Sequence, residues 1–403
     1  MAVVIKGSGS IEGSSGLEMG ANGTTEIRGQ VNVAVGSSVA GVSTATGFVP
    51  TQGQLSHRNL IINGAMKVAQ RGDVTGVEYG YGGCDRWRFS GGSAARITMK
   101  QGGAGVSPTD KGFGFCQHFD VTTADASLAA GDYNMLSYKW EGQDLPQIKK
   151  GTAAAESLTV SFWVSSPKTG THIVELYDQA NSRQISKAYT VSTADTWEKK
   201  TVTFAGDTTG TITNDAAARL ILEFWLCAGS TYSSGTLNTS WAAITNANRA
   251  VGQVNTMDNT SNNFKLTGVQ VELGSVDTPF EHVSYGESLR KCQRYFQHHF
   301  SKENEGQTFG TRFTTQAQGG ITYYTALRAA PTATLKGINI HVMSTGGNVD
   351  VTSMNMTIGG TNVTTQTSLV ALVTAGSLVQ GEACLAHGNA GDDPMGIWLD
   401  SEI

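Results

Sequence analysis

Charge is scarce in this chain. Lys, Arg, Asp and Glu make up 15% of 403 residues, with a net charge of −5, against about 25% charged residues in an average soluble domain. Nucleic-acid binding needs clustered Lys and Arg, and the balance here offers no such footprint. Proline is scarce as well, at 7 residues, which excludes collagen and Pro/Gly-rich disorder. The five cysteines (Cys84, Cys116, Cys227, Cys292, Cys384) are scattered and form no Cys-x-x-Cys pair. Neither a disulfide framework nor a zinc site follows; they read as buried, reduced thiols of a protein assembled in a cytoplasm. Long apolar runs are missing. The richest, Leu220 to Leu226, is far short of a membrane span and carries Glu223. Met1 to Lys6 has a brief apolar run without a cleavage pattern, so no signal peptide is read.

What the chain does have is glycine, 50 residues of it, roughly 12% against a usual 7%. Many glycines crowd residues 1–55, where short β-prone pieces such as Val31-Asn-Val-Ala-Val35 lie between Gly/Ser turns. That segment has no core of its own to offset its ordering entropy, which leaves a flexible tail or an element that orders against other chains, and the recurring Val and Ile favour the second. From Leu55 onward the texture changes. Leu60-Ile-Ile62 before Asn63-Gly64 predicts a strand entering a hairpin. Strict alternation over Leu158–Val164, His172–Tyr177, Lys200–Phe204 and Leu220–Leu226 predicts strands with one face on a core. Trp87, alternating with Phe89, is placed in that core. The run Phe264 to Leu273 changes phase at Gly268, which predicts a β-bulge. With no helical window between these strands, residues 56–276 read as an antiparallel β-sandwich.

One helix is expected. Ser284-Tyr-Gly-Glu287 is a capping box, and Leu289, Cys292, Phe296 and His299 or Phe300 share a face of a helix over about 285–299. Residues 301–403 return to β texture and read as a second, smaller β-domain. The boundaries are therefore 1–55, 56–284, 285–300 and 301–403. Leu289, Cys292 and Phe296 are expected at a domain or subunit junction.

Several blocks resemble the tail-fibre and receptor-binding proteins of tailed bacteriophages. Asn59-Leu-Ile-Ile-Asn-Gly-Ala-Met-Lys-Val-Ala-Gln-Arg-Gly72 with Asp85-Arg-Trp-Arg-Phe89 is similar to the opening of a module common in them. Thr267-Gly-Val-Gln-Val-Glu-Leu-Gly274 with Thr278-Pro-Phe-Glu-His282 resembles its closing strand and exit. Ser288-Leu-Arg-Lys-Cys-Gln-Arg-Tyr-Phe296 is similar to the helix that follows, and Leu327-Arg-Ala-Ala-Pro-Thr332 to a motif of the terminal domain. The resemblance implies a homotrimeric virion protein built around a carbohydrate-binding-like jelly roll. Its N-terminal segment would dock on other phage tail or virion proteins, and its last domain would form the distal tip. It also implies a tail appendage assembled in the bacterial host cytoplasm that meets a host polysaccharide or lipopolysaccharide. The short N-terminal segment favours a short fibre or tail-tip appendage; a head-decorating fibre is a further reading.

Sugars bind by stacking their C–H faces on exposed aromatic rings. Alternation puts Trp163 and Trp225 on faces opposite Phe162 and Phe224, so both are expected outside the core. Tyr79, Tyr81 and Trp241 are possible neighbours, and Tyr323, Tyr324 and Trp398 are anchors if the last domain is the recognising one. The alternative of packing under loops stands beside each. His298-His299 diverge by ~100° on the expected helix and cannot chelate one ion. Asp392-Asp393 lacks the EF-hand spacing and reads as a turn. Neither Gly-x-Ser-x-Gly nor Gly-x-x-x-x-Gly-Lys-Ser/Thr occurs. No cofactor, metal or catalytic residue is assigned, and recognition is favoured over hydrolysis. A glycan depolymerase would need two carboxylates about 5–9.5 Å apart, a pairing beyond what a sequence displays.

Overall fold

The computed structural model describes residues 56–299 and, beyond them, 306–313, 316–336, 340–344, 347–355, 367–374, 378, 383–388 and 396–403. The chain divides into two units, Met1–Val49 and Pro50–Ile403, and the described residues lie in the second. The expectations for residues 1–55 and for Asp392-Asp393 fall outside them.

The alternating segments form two antiparallel sheets. In spatial order the first holds Val74–Val77, Arg96–Gly102, Cys116–Thr123, Asn263–Leu273, Leu158–Ser165 and Glu198–Phe204. The second holds Ala242–Ala243, Arg183–Val191, Gly170–Asp178, Ala218–Ala228, Tyr133–Glu141, Arg88–Gly91 and Gly80–Tyr81. Trp87, Phe89, Phe162, Val164, Leu222 and Phe224 meet in one core. Each such large side chain contributes about 1.5–3 kcal/mol through burial. Gly268 sits at the register shift between Thr267 and Gln270, with φ +59°. The extra residue lets Leu266 and Val269 both face inward.

Asn63-Gly64 makes no hairpin. Residues 62–65 are a turn laid along the strand Asn263–Leu273. Asn63, at φ 60°, holds it by bonding Val68 and Asp85 main-chain groups, and a Cβ on Gly64 would stand 2.1 Å from the Val269 carbonyl. Leu60–Ile62 forms no strand: the Leu60 N–H donates to the Val271 carbonyl, that of Ile61 to Asn59 Oδ1 and that of Ile62 to the Tyr138 hydroxyl, without a ladder.

The helix is shorter than expected. It runs Tyr285–Gln293, capped by the Ser284 hydroxyl, which accepts the Glu287 N–H at 3.2 Å. Phe296–His299 is instead a strand paired with Gly396–Asp400. The apolar spacing of Cys292 and Phe296 fitted a helix, but the β-prone Phe296-Gln-His-His299 is claimed by that tertiary pairing. Gly396–Asp400 also pairs with Thr332–Lys336. The remaining strands close a six-stranded barrel from Gly306–Phe313, Gln316–Thr322, Thr367–Thr374, Gly347–Asn355, Ile340–Ser344 and Ala383–Gly388. Ala317, Ile321, Val342 and Leu372 of the barrel share a core with Ile397 and Leu399 of the small sheet.

Buried charge ties this small sheet to the sandwich. Glu402 pairs with Arg86 and, at 3.4 Å, with Arg71, which also meets Asp400 at 3.0 Å. Arg71 covers the Phe296 ring at 3.8 Å and Arg86 covers Tyr295 at 3.4 Å. Arg294 grips Glu141 with two bonds of 2.8 and 2.9 Å. Cys292 and Phe296 are buried at this junction, and Leu289 is half-buried.

Candidate functional site

The outer faces of the two sheets differ. On the second sheet, Trp225 lies opposite the core side chains, as alternation required, but it is 0% exposed. Tyr133, Tyr232, Leu237 and Ala250 cover this patch. The indole N–H donates to Glu175 at 2.8 Å, and Arg249 bridges Glu175 (3.0 Å) and Glu223 (2.7 Å). Burial pushes Glu223 up to about 8, with Arg249 opposing and Glu175 reinforcing the shift. Trp225 is therefore not available for stacking. Its cover comes from the neighbouring strand, through Tyr133, and from the segment holding Tyr232, Leu237 and Ala250 beyond the strand's end, which strand alternation does not register.

The first sheet keeps an open cleft on its outer face. Two connections form its walls: the segment between Gly102 and Cys116, and the turn between Val191 and Glu198. The Ser107 hydroxyl donates to the Gly102 carbonyl at 2.8 Å, and Trp197 Nε1 donates to the Val106 carbonyl at 3.1 Å, linking the walls. Asp195, at φ 55°, donates its N–H to the Ser166 carbonyl. The cleft measures about 450 Å³ and is lined by Lys100, His118, Asp120, Ser165, Asn263 and Lys265 from the sheet, with Val106, Asp110, Asp195 and Trp197 from the walls. That volume lies within the range of small-ligand sites.

Polar groups in the cleft lack partners. Ser165 Oγ, Asn263 Oδ1 and His118 Nδ1 make no hydrogen bond among the described residues. Ser165 is 1% exposed and His118 8%. His118 Nε2 lies 2.8 Å from Asp120 Oδ1. Burial, with Lys100 and Lys265 nearby, lowers His118 to about 4 against the pull of Asp120, so the ring is neutral at pH 7. Buried donors and acceptors cost about 1–3 kcal/mol each when left unsatisfied. A ligand bearing hydroxyls at this position would recover that cost.

Sequence reasoning placed other aromatic rings at the centre. Trp163 is on the same outer face, two residues before Ser165, half-buried with Lys111 Nζ 5.8 Å from its ring. Tyr79 is exposed under the Arg88 guanidinium at 3.8 Å. Tyr81 donates its hydroxyl to the Ile403 carbonyl, and Trp241 donates Nε1 to the Ala205 carbonyl. Tyr323 is buried, Tyr324 is exposed and stacks on His299 at 4.3 Å, and Trp398 packs edge-on against Phe296 at 5.3 Å. These rings do not gather at one place. Trp197, which lines the cleft, was not singled out; its one signal was a lone tryptophan in the turn Ala194-Asp-Thr-Trp197.

Among the described residues no group of three or more His, Cys, Asp or Glu could hold a metal ion. Cys84, Cys116, Cys227 and Cys292 are free and buried. Among the described residues, no helix is long and apolar enough to cross a membrane.

No protein-family model matches the chain, and no curated protein matches it. Solved structures similar to it include the enzymatically active domain of tailspike protein 4 of bacteriophage CBA120, at 11% identity over 53% of this chain, with a TM-score of 0.30. This chain covers only 21% of that tailspike domain. A family 11 carbohydrate-binding module from Clostridium thermocellum, in complex with a β-1,3-1,4-mixed-linked tetrasaccharide, is 13% identical over 51% of this chain and 98% of the module, TM-score 0.26. TmCBM61 in complex with β-1,4-galactotriose is 11% identical over 54% of this chain and 99% of its own, TM-score 0.28. Likenesses of this size do not say what this chain binds.

Proposed function

We propose that this chain is a receptor-binding protein of a tailed bacteriophage, a short tail fibre or tail-tip appendage that adsorbs to a host surface saccharide without cleaving it. The observation that carries the saccharide is the open cleft with unpartnered Ser165 Oγ, Asn263 Oδ1 and His118 Nδ1 beside Trp197. Polar groups that converge next to an aromatic ring suit a ligand with hydroxyls on its edges and C–H groups on its faces. The phage setting, the jelly-roll family, the homotrimer and the tail location rest on the sequence blocks from Asn59 to Thr332. In this reading residues 1–55 anchor the fibre on the virion.

Incubating the protein with purified surface polysaccharide tests it. Retention without shortening is expected, weakened at least about tenfold in Trp197→Ala, the size of a typical aromatic anchor. Failure of every polysaccharide to be retained would overturn the saccharide reading. Shortened chains would make the protein a depolymerase and turn attention to Asp110, Asp120 and Asp195 in the cleft.

The assembly has its own test. Sedimentation should give a species of three times the chain mass. A monodisperse single chain at micromolar concentration would sink the trimer.

A further inference from the structure

The cleft floor is a lateral row. Lys265 is in register with Ser165 on one neighbouring strand and with His118 on the other, and His118 is in register with Lys100. Four side chains thus cross four strands on one face, at about 4.8 Å per step. Lys100 is matched by Asp120. Lys265 makes no hydrogen bond or ion pair among the described residues. Its neighbours in the row are an imidazole whose Nε2 faces Asp120 and a buried hydroxyl with no partner.

Resting on the saccharide reading above, we infer that the cleft selects an acidic sugar, whose carboxylate or phosphate sits over Lys265 between His118 and Ser165. A neutral sugar would satisfy the hydroxyl but would cover an ammonium without giving it a counter-charge, and that desolvation is unfavourable. An anion supplies the charge and also accepts a hydrogen bond from Ser165. The carboxylates in the cleft leave this position free. Asp120 is matched by Lys100, and Asp110 by Lys111 at 2.9 Å. Asp195 belongs to the turn leading into Glu198–Phe204, on the far side of Ser165's strand from Lys265. The acid is thereby directed to the middle of the row.

The test is equilibrium binding of the full chain to three probes: a glucuronate-containing oligosaccharide, the same oligosaccharide with its carboxyl reduced to the alcohol, and a phosphorylated oligosaccharide. At least about a tenfold preference for one charged probe over the neutral one is expected, shrinking as salt is raised. Whichever charged probe wins identifies the source of the anion. Lys265→Gln should abolish the preference, and Lys265→Arg should restore it. Equal binding of all three probes, or a preference that survives Lys265→Gln, overturns the acidic-sugar inference and leaves the saccharide reading standing. If none of the probes binds and no surface polysaccharide is retained, both fail together.

Discussion

Replacing Glu402 with Gln is expected to lower the unfolding free energy by about 3–5 kcal/mol, the usual cost of breaking a buried ion pair from one side. Glu402 is the shared partner of Arg71 and Arg86, and all three side chains are at most 3% exposed. Arg71 keeps Asp400 after the change, but Arg86 is left with the Lys139 carbonyl and the faces of Tyr138 and Tyr295. A guanidinium buried with no countercharge is the source of the loss. Urea titration of wild type and variant measures it. The double variant Arg86→Met with Glu402→Leu should recover much of the difference, because removing both charges also removes their desolvation. A loss below about 1 kcal/mol for Glu402→Gln would mean that water reaches the cluster.

A second large effect is expected on acidification. His172 is fully buried, stacked on Tyr189 at 5.5 Å, and its Nε2 is 3.1 Å from the Lys168 carbonyl. Burial lowers its pKa to about 4 from the usual 6.5, with the Lys168 bond opposing. Between these values the unfolded chain holds a proton that the folded chain refuses, so stability falls as the pH falls from 6.5 to 4. The shift corresponds to roughly 3 kcal/mol at the acid end and to nothing above pH 7. His172→Gln should lose that pH-dependent share, leaving a constant offset from the lost stacking. Glu223 acts with the opposite sign. Its raised pKa makes stability fall as the pH rises from 4.5 towards about 8. The difference between wild type and His172→Gln cancels that background. If the two stability curves stay parallel from pH 7 to pH 4, His172 does not titrate as described.

The sandwich was legible because period two is a local signal. Phe162, Val164, Leu222 and Phe224 announce an inward face within seven-residue windows, and Gly268 marks a place where the phase slips. The cleft was not legible in that way. Lys100, His118, Ser165, Trp197, Asn263 and Lys265 come from five segments spread over more than 160 residues. Lys100, His118, Ser165 and Lys265 look like ordinary polar positions on a solvent face, and only the strand order brings them into one row. Trp225 shows the same limit from the other side. Alternation correctly took it off the core face, while the segment that covers it carries no periodic pattern. Phe296 failed for a third reason: its spacing from Cys292 suits a helix, and its neighbours suit a strand equally well.

The small sheet of Phe296–His299, Gly396–Asp400 and Thr332–Lys336 has an architectural consequence. The chain leaves the sandwich through the first of these strands and returns through the second, and the two lie side by side. The whole barrel is therefore an excursion whose two feet stand one strand spacing apart, about 4.8 Å. Such a pair of feet is a socket. A different domain with adjacent termini between residues 299 and 396 would leave the sandwich strands and the cleft in place. It would have to supply its own counterpart of the Thr332–Lys336 strand and of Arg328, which donates to the Ala216, Ser401 and Glu402 carbonyls.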